Sequence, residues 1–121
     1  MDNERKNEIL ELSFDFALEI VKLTKYLKLK KEFVISNQLL KSGTFIGANV
    51  SEAQAAQSTK DFIAKMSIAS KEARETEYWI RLLDKSKTID AYQNKSILYE
   101  QIRSIVKLLT SIIKTTQEKN I

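Results

Sequence analysis

Residues 43–62 read GTFIGANVSEAQAAQSTKDF. Gly43 and Gly47 stand four apart in a segment whose apolar residues otherwise recur at helical spacing. Glycine in a helix interior costs roughly 1 kcal/mol against alanine. Accepting that cost twice on one face is expected where another backbone or side chain approaches closely. These are the only two glycines in 121 residues, and there is no proline. Sheets and hairpins draw on such residues at their turns, so the composition favours long helices.

Reading outward, four helices are expected. The first covers about 7–28, with Ile9, Leu12, Phe16, Ile20, Leu23 and Leu27 in one stripe. Leu10, Phe14, Ala17 and Val21 form a second stripe beside it, an arc wide enough to meet another surface as well as a core. The second helix covers about 32–56, with Leu39, Gly43, Ile46, Val50 and Ala53 facing the core. Ser58 is the expected N-cap of a third helix over 59–85, with Asp61 as its capping-box partner. Phe62, Met66, Ala69, Ala73, Thr76, Ile80 and Leu83 form that helix's core stripe. Asp90 is the expected cap of a fourth helix over 91–117, striped by Leu98, Ile102, Ile105, Leu109 and Ile112. Short connections between such helices predict a single-domain, all-α, antiparallel up-down-up-down four-helix bundle.

Composition narrows the chemistry. No cysteine is present, which removes disulfides and thiolate catalysis. No histidine is present either, which removes the usual general base and the commonest metal ligand. The first residues, MDNERKNE, carry no apolar signal core. No apolar run approaches the roughly 20 residues of a membrane span, so a cytoplasmic protein is expected. The net charge of +4 and pI of about 9.2 permit an acidic partner without requiring one.

The run SGTFIGANVSEAQAAQSTKDFIAKMSIASKEARETEYWIRLL, residues 42–83, resembles the four-helix-bundle proteins of the 23S rRNA intervening-sequence family. That family carries a second-helix segment like S-I-x-A-N-I-A-E-G and a third-helix segment like F-L-x-I-A-x-x-S-x-x-E-x-E. Ala48, Asn49, Val50, Ser51 and Glu52 match the first; Phe62, Ile68, Ala69, Glu75 and Glu77 match the second. Ala53 replaces a frequent glycine, and Glu72 a frequent serine. The resemblance implies a bacterial homo-oligomer, typically a five-membered ring, with no established catalysis. A related branch, the accessory variability protein of diversity-generating retroelements, binds nucleic acid and a reverse transcriptase.

Four constellations remain. Asn49, Glu52, Glu72 and Glu75 could converge between the second and third helices, either as a structural polar network or as a metal site. The absence of histidine, and of matching carboxylates on the other helices, favours the network, with Arg74, Arg81 and Lys41 as partners. With Gly43 and Gly47, these residues are expected to mark a tight seam between those two helices. Lys22, Lys25, Lys28, Lys30 and Lys31, with Tyr26 among them, form the densest basic run. They read as phosphate contacts or as a solvated helix end; Arg103 and Lys107 add to the first reading. Tyr78, Trp79 and Phe45 read as interface or core anchors before base-stacking platforms.

No cofactor is called for. The reading that emerges is a non-catalytic homo-oligomeric scaffold associated with RNA or DNA. A protein-interaction module without nucleic acid is the alternative, and a glutamate-based metalloenzyme stands third.

Overall fold

A computed structural model describes residues 3–119. Four helices follow in chain order: α1 (Asn3–Leu29), α2 (Phe33–Ala53), α3 (Thr59–Lys85) and α4 (Lys95–Lys119). Each packs against its neighbours in sequence, and α1 closes the ring against α4. This is the up-down-up-down bundle, all-α among the described residues. None of the helices is long and apolar enough to cross a membrane.

Periodicity decides the core. Phe16, Ile20, Leu23 and Leu27 of α1 are fully buried, as are Leu39, Ile46 and Val50 of α2. Met66, Ala73 and Ile80 of α3 and the five stripe residues of α4 join them. Leu12 and Phe62 sit only half-buried at the margin. The second stripe of α1 divides: Leu10 packs half-buried against the core, while Phe14 is 65% exposed and Leu18 beside it 51%.

Gly43 and Gly47 face α1, not α3, which corrects the expected seam. A Cβ on Gly43 would lie 2.7 Å from Ile20 Cγ1 and 2.9 Å from Cγ2. One on Gly47 would lie 3.4 Å from the Ser13 carbonyl oxygen, an ordinary contact. The α2–α3 seam is instead joined by two buried hydroxyls, Ser42 Oγ and Thr76 Oγ1, 2.9 Å apart. Thr76 Oγ1 also lies 2.7 Å from the Glu72 carbonyl oxygen. Each hydroxyl has one proton, so Thr76 donating to the carbonyl leaves Ser42 to donate to Thr76.

The connections depart from expectation at two points. α2 ends at Ala53, although the alanines beyond it favour helix. The chain must reverse within a few residues so that Ser58, extended at φ −153°, can accept the Asp61 amide at 3.0 Å and start α3. Asp61 Oδ2 in turn accepts the Gln57 amide, at 3.4 Å, and not that of Ser58. α4 begins at Lys95, and Asp90 does not cap it. Ile89 is fully buried and pins the connection, while Asp90 sits 3.9 Å from Lys95 Nζ.

Two turn residues are left-handed and neither is glycine: Lys31 at φ 64° and Lys87 at φ 65°. That conformation costs a residue with a Cβ roughly 1 kcal/mol or more.

The two helix glycines are expected to respond in opposite ways to alanine. Ile20 is fully buried and cannot yield, so Gly43→Ala destabilises by about 1–3 kcal/mol despite its better helix propensity. Gly47→Ala is neutral or stabilising by up to about 1 kcal/mol. Urea denaturation of the two variants measures both.

Candidate functional site

The four residues expected to converge are not joined. Asn49 Nδ2 donates to the Phe45 carbonyl oxygen on its own helix, at 2.8 Å. Glu52 is exposed. Glu75 accepts a long bond from Trp79 Nε1, at 3.4 Å, again within one helix. Among the described residues, no hydrogen bond or ion pair links the α2 pair to Glu72 or Glu75, and no three carboxylates are grouped to hold a metal ion. Arg74 and Arg81 form no ion pair with these glutamates.

The Glu72 carboxyl is perturbed. Partial burial, then repulsion from Glu75, holds its carboxyl above the ordinary glutamate value of 4.5, against the pull of Lys71 and Lys41.

The lysine run divides. Lys22 lies 3.7 Å from Glu19. Lys30 Nζ sits 5.0 Å from the Tyr26 ring centroid and donates to the Thr88 carbonyl oxygen at 3.1 Å. Lys25, Lys28 and Lys31 are exposed, with no partner among the described residues. Arg103 and Lys107 belong to a separate cluster on α4. There the Arg103 guanidinium stands 5.0 Å from the Tyr99 ring centroid. Tyr99, Glu100, Arg103 and Lys107 line an open depression of about 490 Å³.

Two polar clusters escaped the sequence reading. Glu19 is only 7% exposed on the polar side of α1, where periodicity alone predicts solvent. Its carboxylate accepts a 2.7 Å bond from Asn94 Nδ2 and so ties the α3–α4 connection to α1. Burial and Glu19 push the neighbouring Tyr92 phenol up to about 12. In the other cluster, Asp84 accepts from Tyr99 Oη at 2.7 Å and from Lys95 Nζ at 3.0 Å. Those two bonds, Tyr99 first, hold its carboxyl below the ordinary 3.8. Only pairing across more than ten residues would have revealed either cluster.

A concavity of about 680 Å³ lies between α1 and α2. Leu10, Phe14, Ala17, Gly47 and Ala48 give it an apolar lining, and Glu11 and Asp15 line it as well. Neither acid has an ion pair within the described chain. Small residues at 17, 47 and 48 leave the space; Phe14 stands beside it. On α3, Lys71, Arg74, Tyr78, Arg81, Leu82 and Lys85 form a wholly exposed stripe at three- and four-residue spacing.

The carboxyl perturbations have opposite consequences. Glu72 is raised in the folded chain, so its charged form is penalised above the ordinary glutamate range, and the penalty fades as pH falls through that range. Glu72→Gln should therefore stabilise near neutral pH, by up to about 0.5 kcal/mol, with the gain gone in acid. Asp84 is lowered, so its stabilisation is present above the ordinary carboxylate range and lost as pH falls through the folded value. Asp84→Asn should cost about 1 kcal/mol at neutral pH and little in strong acid. Thermal or urea melts at the two pH values read both signs.

Comparison with known proteins places this geometry. A crystal structure from Bacteroides thetaiotaomicron, described as a protein with unknown function from the S23 ribosomal protein family, superposes with a TM-score of 0.85. It is 48% identical, and the match covers 91% of this chain and 98% of that one. No curated protein matches. The family model described as 23S rRNA-intervening sequence protein matches residues 5–111. The chain therefore belongs to the 23S rRNA intervening-sequence protein family.

Proposed function

We propose that this protein is a non-catalytic, self-assembling helical scaffold of the cytoplasm that associates with nucleic acid. The observation that carries the reading is the apolar α1–α2 groove, with Phe14 65% exposed beside it. A monomer gains nothing from leaving such a surface in water.

The occupant that fits is a second copy. The groove is apolar and carries Glu11 and Asp15; the exposed α3 stripe presents Tyr78 and Leu82 among Lys71, Arg74, Arg81 and Lys85. Apolar surface meets apolar surface, and unpaired acids meet unpaired bases. The two patches are unlike, so the contact is head-to-tail and repeats until it closes. A ring follows, and the family resemblance implies five members.

Nucleic acid is the partner that the remaining basic surface supports. Arg103 over Tyr99, with Lys107 nearby, combines a stackable ring with cations, and Lys22 and Lys25 add further charge on α1. Repetition around a ring multiplies weak phosphate contacts. The same apolar groove also suits a different protein, which is the second reading.

Light scattering at micromolar concentration is expected to give a mass several times the 14.0 kDa protomer. Phe14→Glu is expected to shift it toward the protomer mass; a wild-type monomer contradicts self-assembly. Filter binding to structured RNA should weaken steeply as salt rises from about 50 to about 200 mM. No binding at the lower salt contradicts the nucleic-acid half. A partner captured by pull-down after nuclease treatment supports the second reading instead.

A further inference from the structure

One end of the bundle combines features that nucleic acid does not explain. The α1–α2 turn and the α3–α4 connection lie together there, joined by Lys30 to Thr88 at 3.1 Å and by the Tyr26 and Tyr92 rings at 5.0 Å. Lys25, Lys28, Lys31, Lys85 and Lys87 all stand exposed at this end. Its acids are already engaged or partly buried: Asp84 and Asp90 are answered by Lys95, Glu19 by Asn94 and Lys22, and Glu32 is half-buried.

The backbone makes the charge harder to dismiss as incidental. Both left-handed turn positions, 31 and 87, lie at this end, and both are lysine. Glycine serves such positions without strain, yet both glycines of the chain are in α2. Lysine therefore occupies two strained positions at one end of the molecule.

The same turn carries the two most exposed large hydrophobic side chains among the described residues, Leu29 at 87% and Val34 at 77%. Phe33, beside them, is 53% exposed. These residues are remote from the α1–α2 groove, whose lining runs from Leu10 to Ala17 on α1 and from Thr44 to Ser51 on α2. Phosphates of a nucleic acid would use the lysines and leave Leu29, Phe33 and Val34 in water. A second copy meeting this end with its own would bring lysines against lysines. An anionic bilayer interface uses both groups: headgroup phosphates meet the ammonium groups, and the apolar side chains enter the boundary between headgroups and acyl chains.

We infer that this end of the bundle docks peripherally on an anionic lipid surface, with Leu29, Phe33 and Val34 entering the headgroup layer and Lys28, Lys31 and Lys87 meeting lipid phosphates. The contact lies on the membrane and does not span it, since no described helix can. It does not depend on self-assembly.

The test is co-sedimentation of the full chain with vesicles of phosphatidylcholine alone, and with about one third phosphatidylglycerol. Anionic vesicles should pellet the protein at least about tenfold better than neutral ones. Leu29→Ser with Val34→Ser should weaken pelleting by about tenfold, as should Lys31→Glu with Lys87→Glu. All four positions are exposed, and circular dichroism verifies that the variants fold. Equal pelleting with neutral vesicles, or none with anionic ones, overturns the inference. Pelleting abolished by the lysine changes but indifferent to the Leu29 and Val34 changes also overturns it, because that is adsorption by charge alone. If those apolar changes weaken RNA filter binding and leave vesicle binding unmoved, the end serves nucleic acid and the lipid assignment fails.

Discussion

The α1–α2 pair can close only because residue 43 has no side chain. Ile20 fills the space where a Cβ would sit, within 2.9 Å of it at two of its carbons, and Ile20 is itself fully buried. Interiors packed at crystal-like density do not absorb such an overlap. The approach sets the depth at which α1 lies on α2. That depth turns Phe16, Ile20 and Leu23 into the core and leaves Phe14 and Leu18 outside. It also brings Ser13 into the lining of the groove, against Gly47. The packing constraint and the α1–α2 groove thus share one cause.

Polar groups complete what packing begins. Ser42 and Thr76 join α2 to α3 without introducing charge, so the seam avoids the desolvation cost a buried carboxylate would carry. Charged residues are used instead where they fasten connections. Glu19 holds Asn94, and Asp84 gathers Lys95 and Tyr99. Both lie at the margin of the core, where solvent still screens part of the charge. The exposed lysines of the turns consequently remain available for contacts outside the chain.

The helices were legible in the sequence because a stripe at 3.6-residue period needs only local counting, and Leu98, Ile102, Ile105, Leu109 and Ile112 show it plainly. The Ser58 cap was legible for the same reason. Two long-range matters were not. Gly43 and Gly47 announced a close approach, but not whether α1 or α3 made it; that depends on which face the bundle turns inward. Glu52 and Glu75 match the family pattern and Glu72 departs from it, yet no bond joins Glu52 to the α3 pair, since proximity in an antiparallel pair is set by register. Glu19 was hidden because a lone acid on an amphipathic helix reads as solvated, and its partner Asn94 lies 75 residues away. The lysine run was visible, while the strained positions of Lys31 and Lys87 appear only in the backbone.

The claim on which the rest turns is that Gly43 is required by Ile20. A double-mutant cycle of Gly43→Ala and Ile20→Ala, followed by urea denaturation, tests it directly. Ile20→Ala alone costs about 2–5 kcal/mol by opening a cavity. It also removes the carbons that the methyl introduced by Gly43→Ala would strike. The double variant should therefore be more stable than the sum of the single changes, with a coupling of about 0.5–3 kcal/mol. Additivity within about 0.5 kcal/mol would contradict the account.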